Sequence, residues 1–212
     1  MINRKEIAEK FVKYLDENFA NSKCSLNYEN PFQLLIATIL SAQCTDERVN
    51  KVTAALFKKY KNFEDFKNAD LEEIMEDIRP TGFFRNKAKN IKKLSEVILE
   101  RYKGVIPVDI NELVKLPGIG RKTANVLLGN CFNTPGIVVD THVKRISQRL
   151  GLTDNDNPDK IEQDLMEVIP KEKWTKWSHQ VIDFGRKICS AKKPKCDICE
   201  MRDVCKFANG ES

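Results

Sequence analysis

Apolar residues recur at helical spacing along nearly all of this 212-residue chain, and no stretch alternates as a half-buried strand does. Ile7, Phe11, Val12, Leu15 and Phe19 share one face of a first helix. Asn30-Pro31 supplies a cap and a proline at the first helical position. The helix it opens, Phe32 to Leu40, is apolar on most sides and is therefore the core of a first domain. Thr45 caps a helix bearing Val49, Val52, Leu56, Phe57 and Tyr60. Asp70 with Glu73, and Asp109 with Glu112, read as capping boxes. Pro80-Thr81-Gly82 precedes a long basic helix from about Asn86 to Tyr102, ended by Gly104. Further helices carry Val143, Ile146 and Leu150; then Ile161 to Ile169; then Trp174, Trp177, Val181 and Phe184. Ile137 to Val139 is too short for a strand, so the expected fold class is all-α.

Charge says little alone: Lys+Arg 36 against Asp+Glu 31 leaves +5. The segment from Met1 to Glu6 lacks the apolar stretch of a signal peptide, and no apolar run approaches a membrane span. The expectation is a soluble cytoplasmic protein with no membrane partner, and a monomer. Of seven cysteines, Cys24, Cys44 and Cys131 are scattered and expected to be small buried hydrophobes.

The other four, Cys189, Cys196, Cys199 and Cys205, follow the spacing C-x6-C-x2-C-x5-C. In a reducing compartment such a cluster holds metal rather than disulfides. Zinc sites more often use two C-x-x-C knuckles, and the spacing is neither common ferredoxin pattern. Ligand chemistry alone leaves zinc and a [4Fe–4S] cube both open. Lys192, Lys193 and Lys195 lie between the first two cysteines, where a stiffened loop makes a phosphate-binding patch. The same lysines also suit a plain solvated loop.

Leu116-Pro117-Gly118-Ile119-Gly120 is a tight turn followed by Arg121-Lys122 and a helical run. Gly118 and Gly120 permit φ > 0 and leave the backbone open to a visitor. Free N–H groups of such a turn, at the mouth of a helix, suit a phosphate. An ordinary corner between two helices reads the same way. Asp140 is placed as the N-cap of the helix after Thr141.

The turn resembles a helix-hairpin-helix. With Lys122, Asp140, the Ser41-Ala42-Gln43 and Thr45-Asp46 stretch and the four cysteines, the chain resembles the endonuclease III family of bifunctional DNA glycosylases. The resemblance spans about Asn30 to Cys205. It implies two helical domains with a DNA groove between them: residues 24–135, six helices with the hairpin, and residues 1–23 plus 136–212, holding a [4Fe–4S] cluster. It implies Lys122 as nucleophile, Asp140 as catalytic carboxylate and Cys189, Cys196, Cys199 and Cys205 as cluster ligands. DNA contacts would come from Gln43, Phe83, Leu116, Gly118, Gly120, Arg121, Lys192, Lys193 and Lys195.

Gln43 matches the family residue that fills the hole left by an extruded base. Gly82-Phe83-Phe84 departs from the family's wedge loop, where Leu is usual; Phe83 serves either as wedge or as a staple for the next helix. The implied activity is base-excision repair of double-stranded DNA containing damaged bases or abasic sites, removing damaged, oxidised pyrimidines and nicking the strand by β-elimination. The rivals are a monofunctional mismatch-type glycosylase and a non-catalytic DNA-binding metal protein. Lys122 and the lack of an extra C-terminal domain argue against the first.

Overall fold

The computed structural model describes residues Asn3–Gly210. Its helices run α1 (Arg4–Asn18), α2 (Pro31–Leu40), α3 (Asp46–Lys59), α4 (Phe63–Asn68), α5 (Leu71–Ile78), α6 (Phe84–Tyr102), α7 (Ile110–Leu113), α8 (Arg121–Cys131), α9 (Thr141–Leu150), α10 (Pro158–Val168) and α11 (Trp174–Lys187), with short 3-10 turns between some of them. No strand occurs among the described residues, and the fold is all-α. None of these helices is long and apolar enough to cross a membrane. The chain divides into two compact units: Cys24–Asn133, and Met1–Lys23 with Thr134–Ser212.

The continuous unit is built on α2. Asn30 caps it by accepting from the Gln33 N–H at 3.0 Å, and Leu34 to Leu40 are all buried, as a helix apolar on most sides requires. Helices α3, α6 and α8 pack on α2, while α4 and α5 pack on α6. An aromatic group closes one end, with Phe32 edge-on to Phe63 at 4.9 Å and Tyr60 stacked on Phe66 at 4.4 Å. Seven helical segments appear in this unit rather than six, because α7 is a single turn.

Three local expectations change. Neither capping box closes: Asp70 and Asp109 do cap, but Glu73 is drawn to Lys59 at 2.8 Å and Glu112 to Lys115 at 2.6 Å. Helix α6 starts at Phe84, not Asn86, because Gly82 and Phe83 both take positive φ and turn the chain abruptly into it. Cys24, Cys44 and Cys131 are only half-buried.

The second unit wraps α1 with α9, α10 and α11. Phe11 of α1 meets Trp177 at 6.2 Å and Phe184 at 5.3 Å, both from α11. Asp16 fastens the same pair of helices, accepting from Lys173 at 2.6 Å and Gln180 at 3.0 Å. The His142 Nδ1 lies 3.2 Å from Arg145 Nη2, in keeping with a hydrogen-bonding helix residue.

Candidate DNA-binding turn, carboxylate and cluster site

The hairpin turn forms because its two apolar residues face inward: Leu116 and Ile119 are buried, while Gly118 and Gly120 are exposed. Leu116 can therefore offer a ligand only its backbone. Gly118 takes φ +77°, and a Cβ there would meet the Cβ of Asn90 at 3.0 Å, so two constraints require glycine. Gly120 differs from expectation, with φ −97° and open space where a side chain would stand. It caps α8 with no side-chain hydrogen bond. Neither glycine N–H donates to a backbone carbonyl among the described residues. The start of an 11-residue helix thus presents bare backbone donors at the positive end of its dipole. Arg121 and Lys122 are exposed in its first turn.

Asp140 lies in the other unit, as the N-cap of α9. Both capping bonds, from the N–H groups of His142 and Val143 at 2.8 Å, fall on Oδ1. Oδ2 has no hydrogen bond among the described residues. One carboxylate oxygen is committed to the backbone and the other is available for chemistry.

Gln43 and Phe83 both sit in the left-handed region, at φ +52° and +49°. For residues other than glycine this costs on the order of 1 kcal/mol or more each. Both are exposed, Phe83 to 64 %, so Phe83 does not act as a buried staple for α6.

The four clustered cysteines line one apolar cavity with Ile146, Leu150, Phe184 and Ile188. They ring it, and no three ligand-type residues among those described gather as the ligands of a single ion. Burial pushes the Cys199 and Cys205 thiols up, and the neighbouring cysteines add to the effect. Four thiolates together need compensating charge. Arg149 supplies it, donating to Cys189 Sγ at 3.3 Å and to the carbonyls of Ser190 at 2.8 Å and Ala191 at 2.9 Å. Soft donors around an apolar, arginine-bounded cavity fit an iron–sulfur cube. Lys192, Lys193 and Lys195 are exposed on the loop that Arg149 fastens.

Two participants had no sequence signal strong enough to find them. One is Arg149, in the last turn of α9. The other is Lys87, which is buried in α6 and donates to the carbonyls of Leu40 and Thr81, each at 2.8 Å. Burial pushes its ammonium below its ordinary range.

An all-helical chain with a glycine-rich hairpin feeding a basic helix, and a four-cysteine loop at its end, defines a class of repair proteins. Residues 36–171 match the HhH-GPD superfamily of base excision DNA repair proteins, and residues 189–205 match the iron-sulfur binding domain of endonuclease III. Endonuclease III of Synechocystis sp. is 49% identical over 209 residues, covering 98% of this chain and 95% of that one. The Bacillus subtilis protein of the same name is 48% identical over 207 residues, covering 97% and 94%. A solved trapped endonuclease III–DNA covalent intermediate, an estranged-adenine complex, superposes with TM-score 0.94 at 44% identity, covering 99% of each chain. The chain belongs to the endonuclease III family. Its activity is that of a base-excision DNA glycosylase and AP lyase, and its cofactor is a [4Fe–4S] cluster.

Proposed function

We propose that Lys122 is the nucleophile and Asp140 the assisting carboxylate, and that the substrate is an oxidised or ring-saturated pyrimidine in double-stranded DNA. The observation carrying this reading is the uncapped start of α8, where exposed Gly118 and Gly120 flank the turn and Lys122 comes in the first turn. The backbone N–H groups there, with Arg121, hold a phosphate. Phosphate contacts from the cluster loop lysines add to the grip and offset the few kcal/mol needed to rotate a nucleotide out of the stack. Gln43 fills the gap left behind and Phe83 wedges the neighbouring step.

The neutral Lys122 amine attacks C1′. The bond from C1′ to the base breaks, and the base leaves with its electron pair and takes up a proton. The C1′–O4′ bond then breaks as the nitrogen lone pair forms an iminium between Lys122 and C1′, and O4′ keeps the electron pair and takes up a proton. Loss of a C2′ proton into that electron sink expels the 3′ phosphate and nicks the strand. Lys122 is exposed in the free protein, where its amine is open to an incoming sugar. Asp140 balances positive charge growing on the sugar through Oδ2 while Oδ1 keeps its cap. Cys189, Cys196, Cys199 and Cys205 would hold the cluster, which when bound orders the basic loop and takes no part in bond breaking.

Borohydride reduction of the protein on DNA carrying a ring-saturated thymine should yield a covalent complex. Lys122→Gln should abolish it while leaving DNA affinity within about threefold, since one phosphate-region charge is lost. A Lys122→Gln protein that still trapped would overturn the assignment.

A further inference from the structure

Lys87 is 5 % exposed, yet it makes no ion pair among the described residues. A buried ammonium is costly unless its N–H groups are well used. Here its two partners are helix-terminal carbonyls. Leu40 is the last residue of α2, and Thr81 closes the 3-10 turn at Arg79–Thr81. Such carbonyls have no partner within their own helix and carry the negative end of its dipole. The ammonium satisfies both at once, 2.8 Å from each.

The loops just beyond those two carbonyls give the contact its importance. Three residues after Leu40 comes Gln43, and two after Thr81 comes Phe83. Both are exposed, non-glycine and left-handed. The Gln43 loop is tightened by Ser41, whose hydroxyl donates to Thr38 O at 2.9 Å, and by the Cys44 N–H on Ser41 O at 3.1 Å. The Phe83 loop is tightened by Thr81, whose hydroxyl donates to Ile78 O at 2.8 Å. The backbone N–H of Lys87 itself donates to Phe83 O at 3.1 Å. A single residue therefore grips the base of both loops.

We propose that Lys87 is a positioning residue: a crosspiece that fixes the spacing and aim of Gln43 and Phe83, so that both enter the base stack as one rigid tool. Separately anchored loops would each have to be ordered when DNA arrives. Fastened on one ammonium, they pay that entropy on folding instead. The inference rests on Gln43 and Phe83 probing the duplex, as proposed above.

The test compares two substrates in single-turnover rates. One is a duplex with a paired ring-saturated thymine, whose stack must be opened. The other is a single-stranded abasic oligonucleotide, which needs no opening. Lys87→Met should slow duplex excision about tenfold or more, while abasic nicking stays within about twofold, because a misaimed group costs rate only where its aim is used. Gln43→Ala should show the same selectivity, and the double variant should be no slower than the worse single one. Equal slowing on both substrates, no slowing on duplex, or additive losses would overturn the crosspiece. If Gln43→Ala and Phe83→Ala themselves lack selectivity, the reading of those two residues fails and takes the inference with it. Selective losses in those two with none in Lys87→Met overturn the crosspiece alone. Should Lys87→Met not fold, Lys87→Arg keeps the charge but not the seating, and a selective loss of about threefold or more is expected; equal rates on both substrates would again overturn it.

Discussion

The guanidinium of Arg149 reaches from α9 to the Sγ of Cys189, 3.3 Å away. Its other bonds, to Ser190 and Ala191, fasten the chain just beyond that cysteine. Replacing Arg149 with Leu removes three donors and the charge beside four thiols. Hydrogen bonds from a charged group contribute about 1.5–3 kcal/mol each. The variant should lose iron on gel filtration more readily than the parent, melt lower, and bind DNA more weakly as the lysine loop loosens. Iron content and visible absorbance before and after filtration check the first claim.

Asp140 separates into two halves that mutation can address independently. Asn keeps an oxygen for the His142 and Val143 N–H groups but loses the charge. Asp140→Asn should therefore melt near the parent and turn over about a hundredfold or more slower. Asp140→Ala should lose the cap as well, at about 1 kcal/mol. Urea melts alongside single-turnover rates distinguish the two losses.

The two hairpin glycines should respond oppositely. Gly118→Ala places a Cβ 3.0 Å from Asn90 on a backbone at φ +77°, so it should cost about 1–2 kcal/mol of stability. Gly120→Ala meets open space at an ordinary φ and should change stability by about 0.5 kcal/mol or less. If the proposed phosphate contact at this turn holds, its effect should fall on DNA affinity, because the new methyl would stand in the phosphate's path. Thermal melts and fluorescence anisotropy on the same DNA read both.

Asp16 sets part of the acid limit. The hydrogen bond from Lys173 holds its carboxyl below the usual carboxylate range, burial opposes this, and Gln180 assists. A lowered folded value means stabilisation that is fully present above the unfolded value near about 3.9. It is lost as pH falls through the lower folded value. Asp16→Asn should flatten this part of the acid side of the stability curve, and urea melts between about pH 2 and pH 6 measure it.

Much of the fold was legible because helix ends announce themselves locally. Asn30-Pro31, Thr45 and Asp140 all cap where read, each being a bond between neighbours in sequence. The capping boxes failed for the complementary reason: Glu73 and Glu112 found better partners, Lys59 from another helix and Lys115 one turn on. At the hairpin, the sequence suggested positive φ for both glycines, but only Gly118 needs it. Lys87 and Arg149 stayed invisible because each joins its own helix to a segment 40 or more residues away, Lys87 to the Leu40 carbonyl and Arg149 to the Cys189 thiol, and nothing in a lone basic residue encodes that.

The unit holding α1 is completed only by α9 to α11, more than a hundred residues downstream. During synthesis, residues 24–133 can close around α2 while the aromatic face of α1 still waits on the ribosome for Trp177 and Phe184. A nascent chain halted before α11 should thus carry one finished lobe and one sticky, orphaned helix, a natural target for chaperones.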